Sequence, residues 1–289
     1  MPCAMSSLQS VILQGVVYVG GGVTLSDDHY ARTIYKYHPQ EDEWVELNEY
    51  KYVWFTMAIL NNKLIVVGGY DPPPQIATNE IAVWETNKWM CSYPHMSTCR
   101  HSTAVATYKH WLVVAGGVTV VDSDHNDLDT VEVLDTESQH CQWLSTTPLP
   151  MICRHMKSVI VHDKLFLIGG TLAKQALFIS LKNITKQSGA TSTPTEEWCT
   201  LQETPLAYSA AIAFNGSLLT VGGRLDNVYS TAIHIYQSET EQWKKVGELP
   251  TPRSSCSCAL LPNGEILVVG GKKSPAERTK RVDAVTLKI

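Results

Sequence analysis

The sequence predicts an all-β repeat protein of six similar units, and three observations carry that reading. A Gly-Gly pair recurs at Gly20-Gly21, Gly68-Gly69, Gly116-Gly117, Gly169-Gly170, Gly222-Gly223 and Gly270-Gly271, with steps of 48, 48, 53, 53 and 48 residues between first glycines. Each pair ends an apolar run rich in β-branched residues: VVYVGG, LIVVGG, LVVAGG, LFLIGG, LLTVGG and ILVVGG. A tryptophan follows each of the first five pairs: Trp44, Trp89, Trp143, Trp198 and Trp243. A period of this length means one supersecondary unit per repeat, with neighbours burying each other's faces.

Each repeat offers four short segments, which in the third are HSTAVATY, WLVVAGG, TVEVLD and HCQWLS. The first two are almost continuously apolar, as strands covered on both faces must be. The turn between them carries hairpin chemistry at Gln14-Gly15, Asn61-Asn62, His162-Asp163, Asn215-Gly216 and Asn263-Gly264. The Gly-Gly pair suits a close backbone approach or a backbone angle barred to side chains. The tryptophan supplies a large apolar area in one residue and fits a wedge between units. Units fall at about 6–49, 50–97, 98–150, 151–205, 206–251 and 252–289, within one domain covering 1–289.

A strand ending in Gly-Gly, then a strand with an aromatic or apolar centre, then Trp, appears as IYKYHPQEDEW, IAVWETNKW, VEVLDTESQHCQW and IHIYQSETEQW. This pattern resembles the kelch repeat, in six registered copies spanning all 289 residues. The resemblance implies a six-bladed kelch β-propeller with four antiparallel strands per blade. It is closest in style to the kelch domains of BTB-kelch ubiquitin-ligase adaptors. The sixth blade lacks an outer strand with Trp within this chain, and residues Met1–Met5 align with a loop between blades. In many kelch propellers that strand comes from the opposite terminus. The expectation is therefore either a strand supplied by flanking sequence or a three-stranded blade with an exposed edge at 282–288, which Lys288 hardly blunts.

Composition excludes several classes. Net charge is −5, and no long basic block stands out beyond short groups such as Lys272-Lys273 and the stretch around Arg278–Arg281, which argues against general nucleic-acid binding. No apolar run approaches the roughly 18 residues of a membrane span, and no signal pattern opens the chain. Eight cysteines without a paired framework fit reduced thiols and a cytoplasmic setting. The sequons at Asn183 and Asn215 are patterns expected by chance.

Strand alternation puts the loop entering each blade and the loop after each Gly-Gly on one face, where binding residues are expected. Arg100, Arg154 and Arg253 enter first strands, and Arg224 follows a Gly-Gly directly, as do Tyr70 and Asp71. Ser6, Val53 and Ala207-Tyr208 stand at the corresponding positions of other blades. Converging arginines suit carboxylates or phosphates through bidentate charge-assisted bonds. The adaptor resemblance implies short acidic peptide ligands, a role carried to Arg100, Ser102, Arg154, Arg253, Ser254, Tyr70 and Tyr208, and by loop position to Arg224. The competing expectation is arginines paired internally to loop carboxylates such as Asp71 or Asp226.

Other motifs point to structure. The triplets Cys99-Arg100-His101 and Cys153-Arg154-His155 repeat in adjacent blades, too far apart for a metal site to be expected. Cys256 and Cys258 share one side of a strand and read as buried thiols. The acidic run 122–129 begins like a calcium loop, but Asp127 replaces the glycine and Val133 the final glutamate, so it reads as a solvated turn. The insertion Lys182–Glu197 lies on the opposite face and reads as a Ser/Thr/Gly-rich loop. Neither a copper set of the galactose oxidase kind nor a phosphate loop stands out, and no cofactor is expected. A binding module is expected rather than an enzyme. The alternative is a sugar-active kelch enzyme of the sialic-acid mutarotase type.

Overall fold

The described residues of the computed structural model are 1–24, 31–72, 74–170, 175–184, 197–201 and 203–287. The fold class is the expected one: all-β, with six antiparallel blades of the β-propeller type. The first blade is built of Gln9–Leu13, Val16–Gly20, Tyr35–His38 and Glu43–Glu46. The second holds Thr56–Leu60, Lys63–Val67, Ile81–Glu85 and Lys88–Cys91, and the third Ala104–Tyr108, Trp111–Ala115, Val131–Asp135 and Trp143–Thr146. The fourth holds Lys157–Val161, Lys164–Ile168, Ala176–Ser180 and Cys199–Thr200, and the fifth Ala210–Phe214, Ser217–Val221, Ala232–Gln237 and Gln242–Glu248. The sixth has three strands among the described residues, Ser257–Leu260, Ile266–Val269 and Val282–Val285. Among the described residues, helix is confined to one turn, Leu181–Ile184, and no helix is long and apolar enough to cross a membrane.

Two compact units divide the chain. One comprises Met1–Tyr50, Leu172–Ala176 and Gln202–Ile289, and holds the first, fifth and sixth blades. The other comprises Lys51–Thr171 and Leu177–Leu201, and holds the second, third and fourth.

The apolar runs form strands buried on both faces. Along Ile266–Val269, Ile266 and Val268 join a cluster with Leu219, Val221 and Ile233 of the fifth blade. Leu267 and Val269 face the other way, into a cluster with Val17 and Val19 of the first. Period-two alternation thus divides one strand between two interfaces, and each fully buried aliphatic side chain contributes roughly 1.5–3 kcal/mol. Cys256 and Cys258 lie on the same side, as their spacing requires. All eight cysteines are free thiols. The two-residue turns of the first and second blades have left-handed central residues, with φ of 52° and 81° at Gln14-Gly15 and 49° and 57° at Asn61-Asn62, which matches strand twist.

The Gly-Gly pairs join blades. The N–H of the second glycine donates to a carbonyl in the segment entering the next blade: Gly69 to Arg100 at 3.0 Å and Gly117 to Cys153 at 2.8 Å. In the other unit Gly223 donates to Arg253 and Gly271 to Met5, each at 2.8 Å. A Cβ on Gly68 would lie 2.2 Å from the Arg100 carbonyl oxygen, so only glycine permits the approach. After the pair, the chain makes a small extra hairpin in several blades: Tyr70–Asp71 with Ile76–Ala77, Val118–Val121 with Asp124–Asp127, and Arg224–Leu225 with Val228–Tyr229. The acidic run 122–129 is the tip and return strand of the second of these hairpins, exposed at its turn.

Trp44, Trp89, Trp143 and Trp243 lie on fourth strands, and Trp198 stands one residue before its own. The indole N–H of Trp143 donates to the Pro94 carbonyl at 2.8 Å and that of Trp198 to Thr147 at 3.1 Å, each reaching back to the preceding blade. Trp198 is buried, and the other four are partly buried, none of them exposed. A fourth strand has a partner on one side only, so its indole keeps one edge in water. Most of the 182–197 insertion lies outside the described residues, as does Lys288.

Two stability predictions follow from these contacts. Trp143→Ala should cost about 3 kcal/mol in a denaturant melt, through lost area and a cavity; a loss below about 1 kcal/mol would show that the indole wedges nothing. Gly117→Ala should cost about 2 kcal/mol, since φ is +98° and the new Cβ would sit 2.7 Å from the His101 carbonyl oxygen. Unchanged melting would remove the close approach as the reason for glycine.

Candidate functional site

The segment entering each blade has three successive positions, distinguished by their backbone bonds. At the first, the carbonyl accepts from the preceding blade's second glycine; Met5, Arg100, Cys153 and Arg253 stand there. At the second, the backbone bridges to the residue after the blade's own Gly-Gly: Val53 to Tyr70, His101 to Val118, Ala207 to Arg224 and Ser254 to Lys272. The third position is left-handed in all six blades, with φ of 56° at Ser7, 52° at Trp54, 52° at Ser102, 58° at His155, 54° at Tyr208 and 51° at Ser255. These residues are chained by main-chain bonds. Ser102 donates to Trp54 and His155 to Ser102, and in the other unit Ser255 donates to Tyr208 and Ser7 to Ser255. A left-handed Trp, His or Tyr costs on the order of 1–3 kcal/mol, and one of these main-chain bonds helps to hold each of them there.

This register corrects the repeat alignment. The triplets Cys-Arg-His of the third and fourth blades are offset by one residue: Arg100 shares the first position with Cys153, while Arg154 shares the second with His101. Ser6, Val53 and Ala207 are therefore counterparts of Arg154 but not of Arg100 or Arg253.

The first position places its side chain under the blade's own Gly-Gly. Arg100 and Arg253 are both 0% exposed. Arg100 donates to the Gly116 carbonyl at 2.9 Å, to the Thr130 carbonyl and hydroxyl at 3.1 Å, and to the Glu132 carboxylate. Glu132 also accepts the backbone N–H groups of Ser97 and Thr98. Arg253 repeats the arrangement, with Gly270 and Arg281 carbonyls, the Thr251 hydroxyl and the Asp283 carboxylate. Both guanidinium groups are struts inside a blade and do not meet a ligand on the surface. Their partners are strand carboxylates, not the loop acids Asp71 and Asp226. The charged types alone do not reveal this, because the one-residue offset is set by the backbone.

In the second unit, Tyr70 is buried and stacks on Trp54 at 4.9 Å. The His101 ring lies 5.0 Å from Trp54 and 5.3 Å from Tyr70, and its Nε2 is 3.3 Å from Nδ1 of His125, an exposed residue of the extra hairpin. Ser102 Oγ lies 3.0 Å from His101 Nδ1. Burial first, and then the neighbouring His125, His155 and Arg154, press the His101 pKa down to about 3. Arg154 is part-exposed and pairs with Asp127 at 3.2 Å, so its charge is partly spent within the protein.

In the first unit, the Arg224 guanidinium lies 4.7 Å from the centre of the Tyr208 ring. Lys272 occupies the same place after Gly270-Gly271 that Arg224 has after Gly222-Gly223, and its backbone bridges to Ser254 and to Arg278. Arg278 Nε donates to Ser6 Oγ at 3.0 Å. Burial, then Arg278, then Arg224, lower the Lys272 pKa. Among the described residues, Arg224, Lys272 and Arg278 have no carboxylate within ion-pair distance; Glu277 pairs with Lys273, and Asp283 with Arg253 and Arg281. Ser254 is buried and serves through its backbone. Of the expected residues, this unit thus brings Tyr208 and Arg224 together. Lys272 and Arg278 were not among them, although Lys272 directly follows a Gly-Gly, the criterion that selected Arg224. Among the described residues no group of three His, Cys, Asp or Glu side chains converges as a metal site.

The buried pair predicts a specific energetic pattern. Arg100→Ala should cost about 3–5 kcal/mol, because it strands Glu132 uncompensated, while Arg100→Met with Glu132→Leu should cost much less than the sum of the single changes. A double-mutant cycle that comes out additive would remove the strut. A second expectation concerns pH. His101 is neutral in the fold and binds a proton on unfolding between about pH 6.5 and pH 3, so its contribution to stability falls as pH falls through that window. His101→Asn should flatten the dependence of stability on pH there; an unchanged slope would show that His101 is protonated in the fold.

Comparison with known proteins agrees with this architecture. The profile described as the KLHDC2/KLHL20/DRC7 Kelch-repeats domain matches residues 54–271. Kelch-like protein 35 of Mus musculus is 23% identical over 96% of the chain, which covers 36% of that protein. Kelch-like protein terF of Aspergillus terreus is 25% identical over 94% of the chain and 65% of that protein. Kelch repeat and BTB domain-containing protein 1 of horsepox virus is 23% identical over 89% of the chain. That match spans 44% of the viral protein. The solved structure of YjhT superposes over 100% of the chain and 96% of its own with a TM-score of 0.77 at 19% identity, a likeness of fold. With six Gly-Gly blades, their extra hairpins and a family profile over most of its length, the chain belongs to the kelch-repeat family.

Proposed function

We propose that the chain is a protein-interaction module that binds an acidic segment through Arg224, Lys272 and Arg278, with Tyr208 as the aromatic contact beside them. The observation that supports this most is the set of three cations held together with no carboxylate partner among the described residues. Like charges kept close raise a site's energy unless an anion arrives, and an arginine fixed against an aromatic ring is preorganised for one. Arg154 and Ser102 are further contacts of the same kind in the other unit, weakened there by Asp127. Kelch propellers commonly bind protein partners, and the named relatives are kelch-repeat and kelch-like proteins, which favours this reading over the sugar-enzyme alternative. The chain spans only part of those relatives' length, so a substrate-recognition role within a larger protein, in the cytoplasm, belongs to the same proposal.

An array of acidic, neutral and basic peptides tests the reading. Acidic peptides should be retained, and retention should fall with salt. Arg224→Glu should lower retention at least about tenfold, the loss of one charge-assisted contact. Lys182→Glu should have little effect, because Lys182 is 67% exposed and its charge is already paired with Asp163. Basic ligands, or equal losses in the two variants, would reject the proposal.

A further inference from the structure

We infer that the anion this site is built for is a phosphorylated serine or threonine in a protein segment, carried beside an apolar residue. The inference rests on the acidic-segment reading and narrows it. Its first support is charge. Arg224, Lys272 and Arg278 bring three positive charges with no counter-ion among the described residues. One carboxylate would leave two of them uncompensated. A phosphomonoester brings a charge of roughly −1.5 to −2 at neutral pH and three acceptor oxygens, one for each cation.

The second support is the geometry of the donors. Arg224 lies over the Tyr208 ring, which holds the guanidinium in place, and among the described residues no carboxylate pairs with it. Arg278 spends Nε on Ser6 Oγ, so its terminal nitrogens remain for a ligand. Planar forks of this kind meet phosphate with paired bonds, and a lysine between them acts as a point charge. Lys272 is that lysine, bridged by its backbone to Arg278 and to Ser254. Its position is half-buried between like charges, an arrangement that a dianion relieves more fully than a monoanion.

The third support is the neighbouring surface. The extra hairpin that begins with Arg224 exposes Leu225 by 44% and Val228 by 72%, paired across its two strands. These aliphatic side chains lie one and four residues from the arginine, against the charged rim usual for a loop tip. A segment with an apolar side chain next to its phosphoresidue would cover them while its phosphate meets the cations.

Three fluorescent peptide libraries, identical except for a central serine, glutamate or phosphoserine and each flanked by fixed leucines, test this by anisotropy on the full chain. The phosphoserine library should bind about tenfold more tightly than the glutamate library, which is the worth of one further charge-assisted bond. Lys272→Gln should shrink that preference to about threefold or less, and Val228→Ser should weaken both acidic libraries alike. Both variants change exposed or part-exposed side chains, and an unchanged melting curve will confirm that they fold. Equal binding of phosphoserine and glutamate would overturn the inference and leave the acidic-segment reading standing. No preference of either over serine would overturn both. If inorganic phosphate alone competes at the concentration of the phosphopeptide, the site takes a small phosphate and the protein-segment inference fails.

Discussion

The main-chain bond from the second glycine of a pair to the next blade's entering segment, made by Gly69, Gly117, Gly223 and Gly271, is the constraint on which the rest depends. It ties the end of one blade's second strand to the beginning of its neighbour's first, at 2.8–3.0 Å where it is seen within each unit. The close approach there bars a side chain at the glycines, which explains why the pair recurs. The bond's acceptor fixes the register of the entering segment. Once that register is set, the next residue bridges to the post-glycine hairpin and the one after turns left-handed. Burial of the apolar strands supplies the bulk of the stabilisation, but it is non-directional, and it would tolerate a slip that this bond forbids.

That hierarchy explains which parts of the protein were legible in the sequence. Six Gly-Gly pairs, the apolar runs before them and the tryptophans after them give the blade count and the strand order, because each is repeated and each has one physical use. The Asn-Gly and Asn-Asn turns were legible for the same reason. The three-strand character of the last blade's described residues was one of the two forms left open by the absent sixth tryptophan. The wedge tryptophans were placed correctly, and the four that are partly buried keep an edge in water because a strand at the edge of a blade has solvent on one side.

The candidate site was legible only in part. Arg224 was found because it directly follows a Gly-Gly, a rule stated in terms of backbone position. Arg100 and Arg253 were selected by residue type near the start of a strand, and there type misleads: an arginine at the first entering position is swallowed by its own blade, one at the second is not. The repeated letters Cys-Arg-His invite an alignment that the hydrogen bonds refuse, because one blade starts its segment a residue later. Nothing in the letters of Glu132 or Asp283 marks them as internal counter-charges; that role comes from pairing across the blade. His125 was invisible for a related reason, since only the extra hairpin brings it back to His101.

The left-handed third position has a consequence for how such a surface changes over evolutionary time. Its main chain is tied to neighbouring blades by backbone bonds, so the side chain there contributes little to specifying the fold, and Ser, Trp, His and Tyr all occupy it in this one protein. The scaffold therefore separates inheritance of shape from inheritance of chemistry. A lineage can exchange residues at six such places, one per blade, and pass through intermediates that still fold. The backbone bonds there do not depend on which side chain is present, so a ligand rather than the fold decides which newcomer matters.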